Sequence, residues 1–122
     1  MRPQSLIGAF IHETSYQQLP PTVQHQMRRC LLDLVGVSAA GSRTPLSRIA
    51  RNHAHRQAAG GPAAPRLLFD GRRVGAAQAA MANAATIDSM VGHDGHRLVK
   101  GHAGAAVLPT CLLYTSPSPR DS

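Results

Sequence analysis

Apolar and polar positions follow helical spacing through most of the chain. Leu6, Ile7, Phe10 and Ile11 share one side of a short helix predicted over 5–12. Leu19-Pro20-Pro21 interrupts the pattern. Pro21 fits the first turn of the next helix, where its missing N–H costs nothing. That helix is predicted over 22–40, with a stripe of Val23, Met27, Cys30, Leu31, Leu34, Val35 and Val37, and Gly41 as terminator. Thr44-Pro45 reads as the N-cap and first position of a helix to 57, with Leu46, Ile49, Ala50 and Ala54 as its apolar face. A loop over 60–65 leads to an expected β-hairpin near 66–74, with Asp70-Gly71 as its turn. Residues 76–90 form a helix of small side chains suited to tight burial between other helices. A Gly-interrupted loop over 91–102 follows, and a further apolar helix begins near Gly104. There is no internal repeat. The fold class expected is mainly α, with one small hairpin and one polar loop.

Composition narrows this picture. The 122 residues are 43% hydrophobic, enough for one domain with a core. Only 3% are aromatic, so the core must be built from Ala, Leu, Val, Ile and Met in closely approaching helices. The formal charge of +7 raises the question of an anionic partner such as nucleic acid or a membrane surface. The arginines are scattered, however, and the joint excess of Arg, Ala, Gly and Pro fits a GC-rich coding bias, so neither partner is expected, with a basic helical nucleic-acid-binding module as the alternative reading. Cys30 and Cys111 form neither a zinc spacing nor a disulfide framework, and Cys30 is expected to be a small core residue. The start of the chain lacks the pattern of a signal peptide. The longest apolar stretch, 30–40, carries Asp33 and is too short to span a bilayer. A soluble, cytoplasmic protein is expected.

The composition changes again at 111–122, CLLYTSPSPRDS. Pro117 and Pro119 would break the apolar helix that starts just before. The string resembles the translation of a sequencing adapter. It is expected to be a non-native tail, with 1–110 as part of a longer native protein.

The candidate chemistry lies between Asp88 and Pro109. This run holds His93, His96, His102, Asp88, Asp94 and the only lysine, Lys100, separated by glycines at 92, 95, 101 and 104. Such density between apolar helices points to a polar site. Histidines can transfer protons near neutral pH. Lys100 and a protonated histidine can hold carboxylates, and glycines let backbone N–H groups approach the same anion. Proton abstraction next to a carboxylate needs this combination of a base and cations. A metal-dependent site using His93, Asp94, His96 and His102 is the rival reading, although the spacing lacks the helical H-E-x-x-H form. A solvated loop without chemistry is the third. His12, His25, His53 and His55 are expected on the surface. Asp88, near the end of its helix, has a structural or a functional role.

These residues resemble the N-terminal part of the MmgE/PrpD family, which includes 2-methylcitrate dehydratase, cis-aconitate decarboxylase and iminodisuccinate epimerase. LPPTVQHQMRRCLLDLVGVSAAGSRTPLSRIA at 19–50 is similar to the family's LP..V...A...LLD.LGV.LAGS. FDGRRVGAAQAAMANAATIDSM at 69–90 continues the likeness. GHAGAAVLP at 101–109 resembles its HP-(G/S)-(G/A)-A-V-LP segment. The resemblance implies part of a large all-helical domain, a homodimeric parent, and lyase or isomerase chemistry on a small di- or tricarboxylate without an organic cofactor. By position it implies His102, His96 and Asp94 as catalytic and orienting groups. Lys100, His93, Gly101 and Gly104 would bind substrate. The chain departs from the family's D-x-D-D-T-H pattern at Val91, His93 and Gly95, and has Ala103 in place of the Pro after the active-site His. The substrate therefore need not be methylcitrate or cis-aconitate. A half-site cannot enclose a substrate, so the 122-residue chain is expected to be inactive by itself.

Overall fold

The computed structural model describes residues 6–92, 95, 97–98 and 100–114. They form helices α1 (Leu6–Glu13), α2 (Pro21–Gly41), α3 (Pro45–Gln57), α4 (Ala76–Asp88) and α5 (Ala103–Tyr114), with a short 3-10 turn at Tyr16–Gln18. Two compact units, Met1–Leu32 and Asp33–Ser122, divide within α2. No helix among the described residues is long and apolar enough to cross a membrane.

Among the described residues of the first unit, polar contacts join the turn to the start of α2. The Ser15 N–H donates to Gln18 Oε1 at 2.7 Å, and the Gln24 amide donates to the Leu19 carbonyl at 2.8 Å across the Pro20-Pro21 corner. Arg28 Nε donates to the Tyr16 hydroxyl at 2.8 Å. No residue of α1 is buried, and Leu6, Ile7, Phe10 and Ile11 are all exposed. Cys30, expected in the core, is exposed as well. It lies on the apolar stripe of α2, but none of the described residues of its unit is buried.

The second unit is built around α4, which packs against both α3 and α5. Its buried residues are Ala79, Ala82, Asn83, Thr86 and Ile87, so the expected helix of small side chains is buried between neighbours. One apolar cluster joins Ala54 of α3 to Leu67, Val74, Ala79 and Ala82. A second joins Ile87, Val91 and Ala105, with Leu34, Val37, Leu68 and Leu108 against it. The expected cap of α3 is present: Thr44 accepts the Ser47 N–H and Pro45 opens the helix. The expected face forms in part, through Ala50 and Ala54. Leu46 and Ile49 are exposed, while Ser47, Ala50 and Ala54 face α4. Ser47, fully buried on the same side, hydrogen-bonds Thr86 at 2.6 Å.

The hairpin expected near 66–74 does not form. Among the described residues there is no paired strand, only isolated bridges such as Arg66↔Arg73 and Ala59↔Val74. The Leu67 carbonyl accepts from the N–H groups of both Asp70 and Gly71, which tightens the reversal into a turn. Phe69 (φ 57°) and Gly71 (φ 84°) are both left-handed within it. Pro65 has no N–H with which to extend a ladder. The segment after the turn bonds on its other side to 58–60, through Gly60 N–H to the Arg73 carbonyl and Gly75 N–H to the Ala58 carbonyl, both 2.9 Å.

Charge holds this loop. Asp70 accepts from Arg51 Nη1 at 3.2 Å and from Arg72 Nε at 2.6 Å, and Arg51 also donates to the Ser42 carbonyl at 2.6 Å. Arg72 further reaches Asn52 Oδ1 at 3.0 Å. The hydrogen bond from Arg72 holds the Asp70 carboxyl below the usual aspartate range, against the opposing effect of burial. Asn83 of α4 anchors the same loop by accepting the Leu68 N–H at 2.9 Å. Several arginines of a strongly basic chain are thus engaged in its own architecture.

Candidate active site

The site begins where three helix ends meet. A Cβ on Gly41, the last residue of α2, would overlap the Thr86 carbonyl oxygen of α4, so only glycine permits this approach. The Thr44 hydroxyl, which caps α3, lies 2.8 Å from the Gly41 carbonyl and 3.0 Å from Ser89 Oγ. Ser89 Oγ also donates to the Thr86 carbonyl at 2.8 Å. The end of α4 is therefore fixed where the polar run starts. One turn further, the Val91 N–H donates to the Ile87 carbonyl at 3.1 Å, and both side chains are buried against Ala105 of α5.

This packing brings Asp88, the last residue of α4, to His102, the residue before α5. His102 Nδ1 lies 2.8 Å from Asp88 Oδ1. On the other side of the ring, Gly95 and His102 form an isolated antiparallel bridge. A Cβ at Gly95 would stand 3.3 Å from His102 Nε2 and 3.4 Å from its Cδ2. The imidazole thus has one nitrogen on a carboxylate and the other beside a position without a side chain. The two side chains are 32% and 57% exposed, so water screens their attraction and the contact chiefly orients the ring.

The other expected site residues divide into two groups. Lys100 is exposed, forms no ion pair among the described residues, and has a left-handed backbone (φ 50°) between Gly95 and His102. Gly101 is exposed, and Gly104 lies half-buried in the first turn of α5. His93, Asp94 and His96 lie outside the described residues, and with them three members of the metal cluster considered from sequence. Among the described residues no three His, Cys, Asp or Glu side chains gather to hold a metal ion. Val91, which replaces the first acid of the family's pattern, faces the apolar cluster. Asp88 was not among the site residues expected. Its place at a helix end ahead of a histidine-rich loop was the available signal, but its partner is fourteen residues away. His12, His25, His53 and His55 are exposed, as expected.

No curated protein and no solved structure gives a significant match to the chain. The MmgE/PrpD N-terminal domain matches residues 5–118, which is nearly all of it. This match covers the helices, the His102 site and the motif order of the sequence, and the chain belongs to the MmgE/PrpD family as an N-terminal domain.

Proposed function

We propose that the parent of this domain is a lyase or isomerase acting on a small di- or tricarboxylate by acid–base catalysis. The observation that carries the reading is the His102 imidazole, held by Asp88 on Nδ1 with Nε2 beside Gly95. A base placed this way can take a proton from a carbon next to a carboxylate. Asp94 and His96 share the acid–base and orienting work. Lys100 and His93 supply the positive charge that a substrate carboxylate and the developing enolate require. Backbone N–H groups at Gly101 and Gly104, next to the start of α5, approach the same anion. Val91 at the position of a family acid supports a substrate other than methylcitrate or cis-aconitate.

The domain is one wall of the site. The remaining walls belong to a longer, homodimeric, cytoplasmic parent, and the 122-residue chain has no turnover by itself. The test is to restore the uninterrupted reading frame after Thr110 and assay dehydration, isomerisation and decarboxylation over a panel of polycarboxylates. His102→Ala lowers the rate on the accepted substrate by about 10²- to 10⁴-fold. Full activity in that variant overturns the assignment.

A further inference from the structure

We propose that Asp88 is the positioning residue for His102: its carboxylate accepts the Nδ1–H, fixes the neutral ring in the Nδ1–H tautomer, and leaves Nε2 unprotonated toward the gap at Gly95. The inference deepens the reading of His102 as the acid–base group and rests on it.

Three observations converge on it. The 2.8 Å contact joins a group that, when ionised, only accepts to a ring nitrogen that either donates or accepts, so Nδ1 must carry the proton. The two backbones that present the pair are anchored independently of it. Asp88 follows the fully buried Ile87, and His102 stands three residues before the buried Ala105, which packs on Ile87. The contact is also too exposed to matter much for folding, since ion pairs in such positions contribute little. Its consequence is therefore the direction and protonation of the imidazole. Gly95 completes the device, because a side chain at that position would fall against Nε2, the nitrogen that must stay open.

The experiment reads the tautomer directly, by ¹⁵N NMR of the histidine side chains in the 122-residue chain, at a pH above the histidine range. His102→Gln identifies the His102 signals. The expected result is a protonated Nδ1 and an unprotonated Nε2 for His102. Asp88→Ala shifts the population toward the Nε2–H form, and Asp88→Glu, which keeps a carboxylate within reach, retains the Nδ1–H form. A predominantly Nε2–H ring in the unsubstituted chain, or a ring indifferent to Asp88→Ala, overturns the proposal. In the parent enzyme Asp88→Ala lowers kcat with KM little changed, and Asp88→Glu recovers part of the loss. The two readings separate cleanly. Full activity in His102→Ala beside an Asp88-dependent tautomer removes the catalytic assignment and leaves the positioning role. Loss of activity in His102→Ala with an Asp88-independent tautomer removes the positioning role alone.

Discussion

Ser47 and Thr86 place their hydroxyl oxygens 2.6 Å apart, both fully buried, and this contact joins α3 to α4. Thr86 also donates back to the Ala82 carbonyl at 2.9 Å. One hydroxyl therefore has a second partner, while the other depends on the pair.

The asymmetry predicts unequal mutants. Thr86→Val keeps the shape but strands the Ser47 hydroxyl, and costs about 1–3 kcal/mol. Ser47→Ala removes the dependent group and leaves Thr86 bonded to Ala82, so it costs about 1 kcal/mol. The double variant is less destabilised than the sum of the two. Urea midpoints of the four proteins decide this, and strict additivity would mean that the hydroxyls do not act as a pair.

Gly41→Ala tests the close approach beside the site. The added methyl meets a backbone carbonyl, not a side chain that can turn away. Moving the end of α2 off α4 costs about 1–3 kcal/mol or more. Thermal unfolding of the variant shows a lower midpoint, whereas Gly36→Ala, where nothing lies near the added Cβ, leaves packing undisturbed.

Asp70 supplies a pH-dependent contribution to stability. Its carboxyl is held below the usual range by the hydrogen bond from Arg72, so the folded chain keeps it ionised where the unfolded chain would bind a proton. The stabilisation is present above the ordinary aspartate value. It is lost as pH falls through the lowered folded value. Asp70→Asn costs about 1–3 kcal/mol at neutral pH, because Arg51 and Arg72 lose a charged acceptor. The difference between the two proteins shrinks as the solution is acidified below about pH 4. Denaturation curves over a pH series measure it, and a difference that persists undiminished in acid contradicts the role given to the charge.

Local signals in the sequence carried much of the fold. Thr44-Pro45 marks the start of α3 because capping needs only neighbouring residues. The small side chains of α4 announce a helix buried between others. Signals that depend on distant partners were not legible. Leu46, Ile49, Ala50 and Ala54 read as one apolar face, but only the two alanines pack toward α4, beside the polar Ser47 that bonds Thr86. The Asp-Gly pair suggests a hairpin until Pro65 and the left-handed Phe69 confine pairing to single bridges. His102 stands out by its motif, but Asp88 declares its role only when the Ile87–Ala105 packing brings the two helix ends together.

The glycine at position 95 offers the most selective perturbation of the site. A methyl there would lie 3.3 Å from His102 Nε2, tighter than ordinary contact, so the ring or the loop must move by a few tenths of an ångström. The ring is partly exposed and its other nitrogen is held by the exposed Asp88, so the ring yields before the helices do. Gly95→Ala should therefore change the His102 ring resonances in ¹³C–¹H spectra while leaving those of His25, His53 and His55 in place. In the parent, the base proposed at His102 would lose alignment with its proton on displacement, and misplacement by about 1 Å costs about a hundredfold in rate. A smaller shift predicts a loss of about tenfold in kcat, with thermal stability nearly unchanged. Wild-type kcat together with an unmoved His102 would show that the space at Gly95 is not what keeps Nε2 open.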